Sequence, residues 1–404
     1  MKILHTADWH IGKNLLKVPL DQDFLHFSEW LKSYLFEEKI DVLMVSGDIF
    51  DYANPSHQDL KTYYKLLIDI QKSGVQTIIT GGNHDSPGLL NGPREILNSL
   101  NITVLGSFIS DHPERHLVPV YKNNELMCIV LAVPYLREKD LRMSKSANEN
   151  IFEQDNSAAV KAIYDELTLL AKKLYPENTP LLAMGHLHLY GSLTSDSERE
   201  IHIGNLNGLP SHIFNENIEY IALGHIHKPQ KIKGLHPIYY SGSPIFLDFS
   251  EKDYSKQVIL LELNKGEKIE IKTVPIPGLR KMIKIAGNID MVMSKLKLLE
   301  TKVEVLPTFV ELEIEAGEDS YNDKKKVTEI VELYEDSTSL KILKTRIVNE
   351  NLEYSMLHDD VLLKIEEMDP LQVFRHLLEV RSIQGDKKLK LEKAYVELLE
   401  GLLK

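Results

Sequence analysis

Five short clusters of residues able to bind metal or move protons recur along the chain: Asp8-Trp9-His10, Gly47-Asp48-Ile49-Phe50-Asp51, Gly82-Asn83-His84-Asp85, Gly185-His186-Leu187-His188 and Gly224-His225-Ile226-His227. Taken singly each is commonplace, because an isolated Asp-x-His or Gly-His-x-His also describes a pair of satisfied surface histidines. Together, in this order and each after an apolar run, they read as one constellation. Mixed imidazole, carboxylate and amide ligands suit Mn, Fe or Zn better than Ca, and Mg prefers fewer nitrogens. The chemistry that calls for such a set is phosphodiester cleavage, which places charge on attacking, leaving and non-bridging oxygens at once. Two cations about 3.5–4 Å apart stabilise all of them. With one cysteine, Cys128, there is neither an internal disulfide nor a thiolate zinc cluster, so His, Asp and Asn must carry any metal. Cys128 lies in the apolar run Leu126 to Leu131 and reads as a buried strand thiol.

The elements that must position these clusters are legible around them. Ile3 to Thr6, Val42 to Ser46 and Val75 to Thr80 are short apolar runs that read as buried strands. Between them, Asp21 to Glu38 and Gln58 to Ser73 carry apolar residues at helical spacing, which predicts βαβ units and a largely parallel sheet. Ligands then belong at the carboxyl ends of the strands, where every cluster falls. The glycines before Asp48, Asn83, His186 and His225 are expected to let the backbone turn sharply off a strand. Further runs at Leu126 to Pro134, Leu181 to Gly185, Tyr220 to Leu223, Ile238 to Ser241, Val258 to Leu263 and Ile269 to Val274 predict that the sheet continues as a second layer.

Pro275-Ile276-Pro277-Gly278 interrupts this pattern and marks a boundary. The expected division is a catalytic domain over 1–275, a small α/β cap over 279–350 and a helical tail over 365–404. The cap should hold strands near Met282 to Ile285, Phe309 to Ile314 and Ser339 to Ile347, with helices near Met291 to Leu299 and Asp323 to Tyr334. The tail opens with Asp369-Pro370, an N-cap followed by proline at the first helical position, and its two amphipathic helices flank Gly385-Asp386. Helices this short must dock on the parent domain or on another protein.

Net charge is -13, from 47 Lys plus Arg against 60 Asp plus Glu, which on its face argues against nucleic acid. Bound divalent cations would invert the field locally. Arg137 to Lys145, and the stretch with Arg280, Lys281, Lys284, Lys295, Lys297 and Lys302, lean basic and read either as phosphate contacts or as solvated surface. No apolar run reaches the roughly 18 residues of a membrane span, and charge follows closely on Met1, so the chain reads as soluble and cytoplasmic. Trp9 and Trp30 lack the aromatic interleaving of a base-stacking platform and read as core. His57, a few residues past Asp51, could approach a substrate; the other histidines outside the clusters read as structural or solvent-facing.

In order and type the five clusters resemble the motifs of calcineurin-like metallophosphoesterases. That resemblance implies a two-layered β-sheet sandwich flanked by helices, with one metal held by Asp8, His10 and His227, the other by Asn83, His186 and His225, and Asp48 bridging. It implies His84 as a catalytic histidine that is not a ligand, protonating the leaving oxygen or stabilising the transition state, as a general acid does. Asp51 and Asp85 would orient these groups from behind, and His188 has no place in the pattern. The wider runs His5 to Gly12, Val45 to Asp51, Val133 to Arg137 and Tyr220 to Pro229 are similar to the SbcD-type nuclease branch of that superfamily. Membership there would imply a 3'-5' double-strand exonuclease and single-strand or hairpin endonuclease, Mn as the preferred metal, DNA as substrate, a homodimer within a heterotetramer, and a tail docked on the coiled coil of an SbcC-type ATPase. The chain has no Gly-x-x-x-x-Gly-Lys-Ser/Thr loop, so ATP use would come from that partner. Two other readings remain: a stand-alone phosphodiesterase or phosphatase for small substrates, and a scaffold that keeps the fold without catalysis.

Overall fold

Successive side chains on the buried strands face two different cores, which is why these strands are apolar throughout rather than alternating. In a computed structural model that describes residues 1–143, 156–198, 208–301, 304–315 and 320–348, with Leu378, Lys388, Leu391, Ala394 and Tyr395, two six-stranded sheets lie face to face. The first runs Glu270–Pro275, Gln257–Glu262, Lys2–Thr6, Val42–Ser46, Gln76–Thr80, Ile102–Leu105; the last four are mutually parallel. The second runs Gln230–Ile232, Ile238–Tyr240, Ile218–Gly224, Leu181–His186, Glu125–Ala132, Leu117–Lys122, again with a parallel centre. Ile3, Val42, Met44 and Ile78 meet Val130, Leu182, Met184 and Ala222 between the sheets. Their neighbours Leu4, Leu43, Val45 and Ile79 face the opposite side with Phe24, Phe27, Leu31, Leu66 and Leu67 of the helices Asp21–Glu37 and His57–Lys72. The helix Asn156–Leu174 covers the outer face of the second sheet through Val160, Ile163, Tyr164 and Leu167.

Two apolar runs assigned from sequence to the second layer belong to the first. Gln257–Glu262 pairs antiparallel with Lys2–Thr6, with Ile3 opposite Leu261, and Glu270–Pro275 closes that edge. Cys128 is a buried strand thiol, and burial pushes it up to about 12. Trp9 is fully buried and packs on Phe24 and Phe27.

The chain forms two compact units, one of Met1–Ile314 with Lys325–Arg346 and one of Glu315–Lys324 with Ile347–Lys404. The first contains the three-stranded sheet Met282–Gly287, Thr308–Glu315, Leu340–Val348 for most of its length, with the helix Ile289–Glu300 against it. Arg280, read from sequence as a phosphate contact or a solvated charge, is neither. It is buried, pairs through two nitrogens with Asp23 at 2.7 Å each, donates to the Pro307 carbonyl and lies over the Phe309 ring. In the second unit, the expected tail helices lie outside the described residues except at five isolated helical positions. No described helix is long and apolar enough to cross a membrane.

His116 illustrates a histidine built for structure. Its Nδ1 donates to the Ala132 carbonyl and its Nε2 accepts from the Ile109 N–H, each at 2.9 Å, and its ring stacks on Phe108. Burial lowers it to about 4 from an ordinary 6.5. The unfolded chain therefore takes up a proton that the native ring refuses, so this contribution to stability is full above pH 6.5 and declines toward pH 4. Denaturant titrations at pH 7.5 and 5 should show a smaller acid-side loss in His116→Gln than in wild type; equal losses would mean the ring titrates normally.

Candidate metal centre

The carboxyl ends of the strands from both sheets meet at one place. The His186 Nδ1–H donates across the sandwich to the Ser46 carbonyl at 3.0 Å, and the Ser46 hydroxyl donates to the Ala222 carbonyl. This close approach, more than a turn, explains the glycines. Only Gly47 of the four has a left-handed φ, +85°. A Cβ on Gly82 would lie 2.1 Å from the Asp48 carboxylate, and one on Gly224 would lie 1.9 Å from the Ser46 carbonyl. Four of the candidate ligands have positive φ themselves: Asp8 (φ 54°), His10 (45°), Asp48 (49°) and His225 (94°). Strain of roughly 1–3 kcal/mol at such a position persists only where the surrounding fold enforces it, and it collects at functional sites.

Asp8, His10 and His227 offer ligand atoms within 4.8 Å of one another, as do Asp8, Asp48 and His186, and also His10, Asp48 and His84, all buried. Asp48 Oδ2 is central, 3.3 Å from His186 Nε2, 3.6 Å from His10 Nε2 and 3.9 Å from His84 Nε2. Asn83 joins through its carbonyl oxygen, 2.9 Å from His186 Nε2. His225 stands beside them, its ring 5.5 Å from that of His186 and its N–H donated to Asp8 Oδ1. The structure thus brings all seven expected ligand positions together. His188 is half-buried, its ring 6.2 Å from that of His225. His57 is exposed at the start of its helix.

Behind the cluster, Asp51 Oδ1 takes His10 Nδ1 at 3.1 Å and Lys13 Nζ at 3.2 Å, while its carbonyl takes His84 Nδ1 at 2.8 Å. Asp85 grips the loops, accepting the N–H groups of Ile49, Phe50 and Gly82. Arg137, from the basic stretch noted in the sequence, donates to the Asp85 carbonyl and lies over the Tyr135 ring. Sequence reasoning missed Glu198, Ser197, Glu251 and Lys256, which surround His227 from behind; nothing in their local sequence marks them.

The residues fit a pair of divalent cations. His10 and His227 point Nε2 at Nε2 across 3.1 Å while each Nδ1 engages an oxygen, so the two Nε2 atoms are the ones left to hold a cation. Asp8 Oδ2 is buried without a partner. Burial raises the Asp8 carboxyl to about 7, and burial lowers His10 to about 4 and His225 well below its ordinary value, the charge of His186 adding to the latter. Burial works against the charged form of His186 too, but the Asp48 carboxylate beside it prevails and raises it to about 9. A metal-free centre thus holds protons that a cation would expel.

The residues matched by the calcineurin-like phosphoesterase family are 1–229, more than half of the chain. The chain belongs to the calcineurin-like phosphoesterases. Among its relatives are proteins named as the D component of the nuclease SbcCD: 28% identical from Escherichia coli K12 over 100% of this chain and 98% of that protein, 35% from Rhodobacter capsulatus over 71% and 72%, and 28% from Bacillus subtilis 168 over 70% and 72%. The fold of two stacked mixed sheets with flanking helices is that of a metallophosphoesterase. As a metallophosphoesterase, the chain is a metal-using hydrolase with its ligand-type residues clustered at one buried centre.

Proposed function

We propose that this chain is the nuclease subunit of a DNA-processing complex in repair and recombination, hydrolysing phosphodiester bonds at a two-metal centre with Mn preferred. The observation that carries the proposal is the convergence of Asp8, His10, Asp48, Asn83, His186, His225 and His227 in a phosphoesterase whose relatives are named as the D component of the SbcCD nuclease. Asp8, His10 and His227 would hold one cation and Asn83, His186 and His225 the other, with Asp48 common to both. Bound there, the cations would supply Lewis acidity and a hydroxide-like nucleophile at neutral pH. The protein's own part is orientation and proton transfer. The Asp51 carbonyl holds His84 Nδ1–H, so its Nε2 is the nitrogen turned toward the centre, where the ring in its imidazolium form would give the Nε2 proton to a leaving oxygen and return to the neutral ring. The Asp51 and Asp85 carboxylates fix His10 and the loops that carry Asp48 and Asn83.

A homodimer within a heterotetramer, an SbcC-type ATPase partner receiving the 365–404 tail, a cap over 279–350 and a cytoplasmic location complete the proposal. Incubation with end-labelled hairpin DNA and Mn, with and without an SbcC-type ATPase, tests it. Cleavage that the ATPase stimulates supports the assignment. Inertness toward DNA in both conditions, with intact turnover of a small phosphodiester, would sink the nuclease role and leave the small-substrate reading.

Because Asp8 holds its proton to about pH 7, protons compete with the cation below that pH. Mn affinity, measured by calorimetry, is therefore expected to tighten as pH rises from 6 to 8. A flat profile would mean that neither Asp8 nor His186 holds a proton in the metal-free chain.

A further inference from the structure

We infer that Glu251, anchored by Lys256, is the positioning residue of His227: it fixes the ring so that Nε2 presents a lone pair to the proposed metal centre. The inference rests on the metal-centre reading above and extends it to residues outside the five motifs.

His227 lies at the end of a buried polar chain. Ser197 Oγ is 2.5 Å from His227 Nδ1 and 2.5 Å from Glu251 Oε1, and that carboxylate oxygen is itself 3.4 Å from His227 Nδ1. The other oxygen of Glu251 accepts from Lys256 Nζ at 2.6 Å and from the Leu247 N–H at 3.1 Å. Lys256 Nζ also donates to Ser243 Oγ at 2.6 Å, and the ammonium lies over the Phe246 ring. Glu251 is 0% exposed, His227 2% and Lys256 3%. The main-chain N–H of His227 donates to Glu198, so ring and backbone are both held.

Donor and acceptor roles along this chain place a proton on Nδ1 when the Ser197 hydroxyl serves Glu251. Lysine only donates and an ionised glutamate only accepts. Ser197 has one hydroxyl hydrogen; given to Glu251, it leaves the oxygen to accept from His227 and from the Ser195 hydroxyl 2.7 Å away. Nδ1 then carries a ring proton, and Nε2, facing His10 Nε2 at 3.1 Å, is the nitrogen left to meet a cation. His10 is treated the same way by Asp51, so each of the two facing rings has a carboxylate of its own. A buried ion pair such as Glu251 with Lys256 gives little net stability, because desolvating both charges costs about as much as their attraction returns. What it supplies here is a fixed acceptor behind a ring whose other nitrogen faces the centre, and outer partners of this kind typically account for about 10–100-fold in metal affinity.

The test uses the full chain and Mn(II) as probe. Free Mn is followed by electron paramagnetic resonance during titration of wild type, Glu251→Gln and the double variant Glu251→Ala with Lys256→Met, which leaves no unpaired buried charge if the single variant folds poorly. In the metal-free protein, long-range proton–nitrogen correlation of labelled histidine rings reports the tautomer, with His227 assigned by its loss in His227→Asn. The expected result is two Mn sites in wild type, one of them weakened about 10–100-fold in the variants and the other unchanged, together with loss of the Nδ1–H signature at His227. A folded variant that keeps both affinities and that signature overturns the positioning role. A wild-type chain that binds no Mn overturns the metal-centre reading instead, and the ring signature then decides the role of Glu251 by itself.

Discussion

Replacing His84 by alanine is expected to lower phosphodiester cleavage about 10²–10⁴-fold, the usual contribution of a placed general acid, while two Mn ions per chain remain bound. The geometry sets this result at a point where two roles compete, because His84 also falls within ligand distance of His10 and Asp48. Two details favour the proton-transfer role. His84 Nε2 is the farthest of the three imidazole nitrogens from Asp48 Oδ2, at 3.9 Å against 3.3 and 3.6 Å. Its own main-chain N–H already donates to Asp48 Oδ1 at 2.9 Å, so Asp48 is anchored by the backbone that alanine would keep. Turnover of a small phosphodiester and equilibrium Mn counting on the same preparation check the two halves together. Loss of one Mn per chain would make His84 a ligand and require another acid for the leaving oxygen.

The candidate ligands were legible in the sequence because each follows directly on a buried strand, and strand ends in a parallel sheet converge on one edge. The helices and strands of the 279–350 segment were legible for a similar local reason: their periods change visibly at Asn288 and at Thr308. What was not legible depends on distance in three dimensions. Glu251 acts on His227 from twenty-four residues away, through a short turn over Phe249–Glu251 with no distinctive pattern. The return of Gln257–Glu262 to the first sheet is a pairing with Lys2–Thr6 across the whole domain, and an apolar run carries no label for its partner. Arg280 looked like a surface charge because nothing local reveals Asp23 on a distant helix. The glycines were found for an incomplete reason: sequence suggests conformational freedom, but Gly82 and Gly224 are needed because another main chain or carboxylate already occupies the space of a Cβ.

Asp48→Asn should have the broadest effect of any single change at the centre, weakening both metals together and lowering turnover by at least about a thousandfold. That magnitude corresponds to several kcal/mol of lost charge stabilisation at about 1.36 kcal/mol per decade. Asparagine keeps the size of Asp48 and can still accept the His84 N–H through Oδ1, so the loop geometry survives. What it removes is the negative charge at Oδ2 shared by the His10 and His186 sides of the centre. Burial by itself would raise that carboxyl, but His186 beside it holds Asp48 well below the usual carboxylate range, so the charge is present at any working pH. In the metal-free chain the same charge is a burden: burial first, and the charge of Asp48 in addition, push both Asp8 and Asp85 upward. The metal-free variant is accordingly expected to unfold no earlier than wild type, while wild type alone gains stability from Mn, by about 2.7 kcal/mol at a hundredfold excess over its dissociation constant. Thermal unfolding with and without Mn, beside calorimetric counting of sites, separates the outcomes. If one Mn is lost and the other binds as before, Asp48 serves a single metal and does not bridge. If both are lost and the metal-free fold is undiminished, Asp48 is held in its strained, buried position for the metals and not for the fold.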